Sequence, residues 1–266
     1  MLPVLFPGTA FEVPTYFVLL MLSALGSIIC GIYKAKAYGL KSYRAVDIGF
    51  IGFVGGLIGG RLAHVLIEAP GYYWESPVRV FYFWQGGFVL YGGLIGGFLC
   101  GVLAIKLLKE PVIQWLDALA VPILVGVAIG RMGCLAGGCC YGLPTDSFIG
   151  MTFTHPLAAA PLHHPVYPTQ LMEAVFCGLM AVILWFAFRR PPKRGGNAFA
   201  IAAISYAVFR FLIEFIRGDA ERGVYASGSI TTSQIISLVV VIAAFIFISW
   251  TRSSKRGGEH SHEQAH

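Results

Sequence analysis

The sequence predicts an all-α polytopic membrane protein with seven transmembrane helices. Three observations predict it. Only 12% of the residues are charged and 57% are hydrophobic, whereas soluble domains carry about 25% charge. The chain divides into seven apolar runs, each near the ~20 residues that a bilayer crossing requires. Its lysines and arginines gather in alternate connections between those runs.

The predicted spans, in order, are 14–33, 46–67, 86–108, 116–134, 170–188, 197–215 and 231–250. The apolar N-terminus reads as part of the first span's approach. Residues 1–13 contain no lysine or arginine, so the basic start of a signal peptide is missing. The hexapeptide GGLIGG occurs in the second and third spans, at 55–60 and 92–97. Its small-xxx-small spacing predicts closely packed helices. An inverted repeat, as in transporters, is the weaker alternative. Together these spans form a single domain over 1–250, followed by a disordered tail over 251–266.

Orientation follows from the basic connections. Lys34, Lys36, Lys41 and Arg44 follow the first span, and Lys106 and Lys109 the third. Arg189, Arg190, Lys193 and Arg194 follow the fifth, and Arg252, Lys255 and Arg256 the seventh. Only Arg79, Arg217 and Arg222 lie on the opposite side. The positive-inside rule then places the N-terminus outside and the C-terminus in the cytoplasm. The net charge of +6 is therefore a topogenic signal and a surface for anionic lipid, with no nucleic acid as partner.

Ionisable groups inside spans cost at least ~2.5–3.5 kcal/mol each, so each needs a reason. Arg61, Arg131, Arg210 and Glu214 lie near the outer ends of outward-running spans, and Glu173 near the outer start of an inward-running one. Tyr16 and Tyr91 belong to the same level. Pairing between helices explains part of this, and Arg210 and Glu214 have the i, i+4 spacing for it. With Arg217 included, however, arginines outnumber carboxylates. An arginine excess in the outer leaflet suits a lipid phosphate, whose geometry the guanidinium fork matches.

The one long connection, 135–169, is rich in proline, aromatic and small residues and poor in charge. It is predicted to pack over the outer mouth rather than to be disordered. It opens on GRMGCLAGGCCYG at 130–142, with Cys134, Cys139 and Cys140. Their spacing does not match a C-x2-C site and adjacent cysteines suit a tetrahedral ion poorly, so neither metal nor cofactor is expected. On the oxidising side of the membrane, a disulfide from Cys134 to Cys139 or Cys140 is one reading and free thiols the other.

Five segments resemble the phosphatidylglycerol–prolipoprotein diacylglyceryl transferase family: GGRLAHVL at 59–66, GGFVLYGGLIGG at 86–97, GRMGCLAGGCCYG at 130–142, YPTQLMEA at 167–174 and FRFLIEFIRGD at 209–219. They stand in family order. The resemblance implies a transferase of lipoprotein biosynthesis in the bacterial cytoplasmic (inner) membrane, with its active site toward the outer leaflet. Its substrates would be phosphatidylglycerol and the lipobox cysteine of a prolipoprotein signal peptide. It implies Arg131 and Gly142 in the lipid-binding signature and Tyr16 in the first span. It also implies Arg210, Glu214 and Arg217 as an arginine–glutamate–arginine run, with Arg210 acting on the phosphate. Arg61 and Glu173 join the substrate-binding set through their depth.

Three positions depart from the family pattern. Tyr91 stands at the family's histidine, a proposed base, and a phenol of ordinary pKa ~10 acts there only if strongly shifted. Cys134 replaces an asparagine and Cys139 a glutamate. The alternative reading is therefore a lipid-binding relative without transfer activity, or a thiol-redox membrane protein that uses Cys134, Cys139 and Cys140.

Overall fold

The computed structural model describes residues 3–8, 13–83, 87–218, 224–225 and 230–263, without the side chains of 90, 224–225 and 252–263. It is helical, with three two-stranded ribbons. Among the described residues, six helices are long and apolar enough to cross a membrane: Thr15–Ala37, Arg44–Glu68, Val112–Gly137, Thr169–Ala187, Asn197–Ile216 and Thr232–Thr251. The run expected over 86–108 forms a shorter apolar helix, Tyr91–Leu107. It starts late because Val89 is extended (φ −91°, ψ 122°) and Gly87 is left-handed (φ 78°). Leu66, Ile67, Leu107, Leu179 and Ile246 are among many apolar side chains left exposed, as lipid contact requires.

We number the helices α1 (Thr15–Ala37), α2 (Arg44–Ala63), α3 (Pro70–Glu75), α4 (Leu90–Leu107), α5 (Val112–Gly137), α6 (Thr169–Ala187), α7 (Asn197–Ile213) and α8 (Thr232–Glu263). The tail expected to be disordered, 251–266, falls on the polar extension of α8 and on 264–266, which lie largely outside the described side chains. The chain divides into two compact units, Gly31–Trp115 and the remainder.

In the Gly31–Trp115 unit, the two GGLIGG copies pack on each other. A Cβ added at Gly59 would meet the Gly92 carbonyl and lie 2.9 Å from Gly96 Cα. One at Gly56 would lie 3.3 Å from the Gly93 carbonyl. Close packing, the favoured sequence reading, is what the glycines provide. Gly59→Val is expected to destabilise the protein by about 1–3 kcal/mol or more, because backbone cannot yield as a side chain does. Thermal unfolding in detergent measures this, and an unchanged midpoint would refute it.

The other unit holds α6, α7, α8, most of α5 and α1 as far as Cys30. Its apolar centre comprises Ala120, Val121, Leu124, Cys177, Ala181, Leu184, Ala198 and Ala202. Small residues dominate because the helices approach closely. Pro122 sits inside α5, and α1 grips the helix there. Ser27 Oγ donates to the Pro122 carbonyl at 2.9 Å, and Ser23 Oγ to the Gly126 carbonyl at 2.7 Å. Asp117 of α5 caps the start of α7, accepting from the Gly196 N–H at 2.6 Å and the Phe199 N–H at 3.0 Å. Asp117→Ala would strand both buried donors and cost about 1–3 kcal/mol. Asp117→Asn, which keeps an acceptor, is expected to recover part of the loss in the same unfolding measurement.

The connection between α5 and α6 carries its own small core, Phe153, Ala160 and Val166, with Leu135, Tyr141, Met151 and Ala158 packed against it. A short antiparallel ribbon pairs Met151–Thr152 with Pro165–Val166. The segment after Cys140 is threaded between two others. Gly142 N–H donates to Tyr167 O at 2.8 Å, Leu143 N–H to Ile216 O at 2.8 Å and Gly218 N–H to Tyr141 O at 3.1 Å. The connection is thus ordered about its own apolar centre and tied at both edges by backbone hydrogen bonds.

Candidate functional site

Buried charge in the larger unit converges where α5, α6, α7 and the threaded loop meet. Arg131 near the end of α5 places its Nε 2.8 Å from Glu173 Oε1 on α6. Tyr206 of α7 donates to the same oxygen at 2.8 Å. Arg210 Nη1 donates to Glu214 Oε2 at 2.6 Å, one helical turn on, and Arg210 Nη2 to Ser233 Oγ at 2.8 Å. Arg217 Nη1 lies 3.9 Å from the same Glu214 oxygen. All five charged residues are at least nine-tenths buried. Tyr206 links the two groups, since both Arg131 and Arg210 act on it electrostatically.

Among the described residues, three buried arginines thus stand with two buried glutamates. Buried charge is costly unless it is paired and hydrogen-bonded, and each of these groups has a charged partner within 4 Å. The i, i+4 pairing that the sequence offered for Arg210 and Glu214 is made.

Gly142 is required by space. A Cβ there would meet Tyr167 O at 2.7 Å and Ile216 O at 2.8 Å. Its bridge to Arg217 fixes the loop beside that arginine. Tyr16 packs its ring toward Gly133, 3.4 Å from a Cβ built there.

The cysteines are also brought here. All six in the chain are free thiols, so the disulfide reading is not realised in the structure. Cys134, Cys139 and Cys140 have sulfurs within 4.8 Å of one another. Arg131 Nη1 approaches Cys134 Sγ at 4.0 Å. Hydrogen bonds from Cys134 and Cys139, followed by the charges of Arg131 and Arg217, hold the Cys140 thiol well below its ordinary range. The same thiol contacts push Cys139 up. Gln170 Nε2 donates to Cys139 O and Thr169 Oγ1 to Cys140 O, each at 2.6 Å.

Arg61 and Tyr91 stand in the other unit. Arg61 is buried and bonded to backbone: Nε to Val80 O at 3.0 Å, Nη1 to Gly87 O at 3.1 Å, and Nη2 to Arg79 O at 2.7 Å and Tyr82 O at 3.2 Å. The rings of Tyr73, Phe83 and Phe88 surround it. Tyr91 opens α4. Sequence reasoning did not single out Tyr206, Gln170, Thr169 or Ser233. Gln170 was the most accessible to it, being an amide that starts an apolar helix within the quoted YPTQLMEA. Its Oε1 is buried without a hydrogen-bond partner among the described residues.

The fold and this cluster define a multi-pass membrane protein with an arginine-rich site buried among its helices. The prolipoprotein diacylglyceryl transferase profile matches residues 3–250. A phosphatidylglycerol–prolipoprotein diacylglyceryl transferase of Clostridium tetani is 32% identical over 250 residues, 93% of this chain and 97% of that protein. One of Hydrogenovibrio crunogenus is 32% identical over 228 residues, 85% of each chain. A second enzyme of that name in Clostridium perfringens is 30% identical over 243 residues, 87% of this chain and 91% of the relative. The chain belongs to the prolipoprotein diacylglyceryl transferase family.

Proposed function

We propose that the chain moves the diacylglyceryl group of phosphatidylglycerol onto the lipobox cysteine of a prolipoprotein, a step of lipoprotein maturation. The observation that carries this reading to particular residues is the gathering of three buried arginines, Arg131, Arg210 and Arg217, where α5, α6, α7 and the threaded loop meet. The acceptor thiolate attacks the glyceryl carbon that bears the phosphodiester. The carbon–sulfur bond forms, the carbon–oxygen bond breaks, and the electron pair leaves on glycerol phosphate. Charge therefore grows on a phosphate oxygen, and preorganised donors aimed at it lower the barrier.

In this reading Arg131 binds the headgroup and Glu173 with Tyr206 fixes its guanidinium. Arg210 meets the reacting phosphate, and Glu214 holds Arg210 and Arg217 in place. Gly142 keeps the loop close, and Tyr16 lines the lipid's approach. Arg61 braces backbone instead of touching lipid, since its donors already serve carbonyl oxygens. The helix α4 acts as the seventh span. With the basic connections inside, the N-terminus lies outside, the C-terminus lies in the cytoplasm, and the site faces the outer leaflet of the bacterial cytoplasmic membrane.

The test supplies phosphatidylglycerol vesicles and a lipobox peptide to the purified protein. Mass analysis is expected to show the thioether-modified peptide with release of glycerol phosphate. Well-folded protein that yields neither would overturn the reading.

A further inference from the structure

We propose that Cys134, Cys139 and Cys140 bind one zinc ion, and that its open fourth position takes the thiol of the acceptor peptide. The second half rests on the transferase reading above.

The geometry comes first. Tetrahedral zinc–thiolate bonds of about 2.3 Å set sulfurs about 3.8 Å apart. The three sulfurs already lie within 4.8 Å, so ordinary side-chain adjustment closes the site. Sequence spacing argued against this because neighbouring side chains in regular structure diverge. Here the backbone reverses: Gly138 has φ 68° and Cys140 has φ 62°. A left-handed conformation is uncommon in a residue with a side chain and is retained where the surroundings enforce it. The enforcement is visible in the bonds from Gln170 and Thr169 to the carbonyls of Cys139 and Cys140. Cys139 N–H closes the turn on Cys134 O at 3.1 Å.

The donor set selects the ion. All three ligands are sulfur, which suits zinc or copper(I). Zinc with three protein ligands keeps a fourth position open, as catalytic zinc sites do. Three thiolates around Zn²⁺ carry one net negative charge, and Arg131 and Arg217 are the nearby cations that act on Cys140.

The chemistry follows. The reaction needs a thiolate, and a free cysteine of pKa about 8.5 is mostly protonated at neutral pH. A thiol that coordinates zinc loses its proton outright. The proton goes to water and the sulfur attacks carbon. The product thioether, a neutral and weaker ligand, then leaves. No oxidant or reductant is involved.

The experiment uses full-length protein purified in detergent. Wild type is expected to retain about one zinc per chain, and Cys134→Ser, Cys139→Ser and Cys140→Ser to lose it. Cys30→Ser, distant on α1, should keep it. Unfolding midpoints separate loss of metal from loss of fold. After replacement by cadmium, the sulfur-to-metal absorption should report three thiolates and then four when lipobox peptide is added. Chelation should lower thioether formation about 30-fold, the thiolate fraction forgone at pH 7 by a thiol of pKa about 8.5, and zinc should restore it. Copper(I) retained in place of zinc, a Cys134–Cys139 or Cys134–Cys140 disulfide in the purified protein, or full activity in the triple serine variant would overturn the proposal. In the last case the transferase reading stands. Zinc-loaded protein that makes no thioether would instead sink the transferase reading, and with it the fourth-ligand role.

Discussion

Arg210→Ala is expected to lower kcat for thioether formation by about 10²–10³-fold, the loss typical of one preorganised donor to a developing anion. KM for phosphatidylglycerol should change far less, because the donor matters most where charge grows. The fold should tolerate the change. Glu214, left by Arg210, still has Arg217 at 3.9 Å, so no carboxylate is stranded without a cation. Arg210→Lys is expected to recover only part of the rate. Lysine restores the charge but cannot hold Glu214 and Ser233 with one fork while presenting a further N–H to phosphate. A variant as fast as wild type, with lipid binding intact, would remove Arg210 from the mechanism.

Much of this arrangement was legible in the sequence, for an energetic reason. A charge in an apolar run is costly, so each one marks a contact that must exist. Arg131, Glu173, Arg210 and Glu214 were each found that way, and the structure pairs them. The helices were legible too: the predicted 197–215 is observed as Asn197–Ile216, and 170–188 as Thr169–Ala187. Hydropathy reads these well because lipid demands unbroken apolar length. It read α4 less well, since the glycines and extended residues before Leu90 are as apolar as the helix they precede.

What stayed hidden had partners that leave no mark in sequence. Arg61 shared the depth of the other arginines and so joined the substrate set. Its partners are main-chain carbonyls, which every residue has. Tyr206 lies in an apolar run, where a tyrosine reads as packing until its hydroxyl is seen on Glu173. The three thiols were named together from the sequence, but how close their sulfurs come depends on the backbone reversal at Gly138 and Cys140, which cysteine spacing does not encode.

Glu173→Ala is expected to have the largest effect on stability. The Arg131 and Glu173 side chains are 8% and 4% exposed and lie 2.8 Å apart. Removing the carboxylate leaves a guanidinium without its buried partner and strands the Tyr206 hydroxyl. Breaking such a pair costs about 3–5 kcal/mol, to be read as a fall in the unfolding midpoint. Glu173→Gln keeps an acceptor for both donors and should lose less. Arg131→Met combined with Glu173→Leu should recover much of the stability, since replacing a whole buried pair by apolar groups is often neutral. The recovered protein should nonetheless fail to transfer lipid, because the headgroup contact at Arg131 is gone. Stability then returns along the double-mutant cycle while activity does not. A purely structural ion pair would predict that they return together.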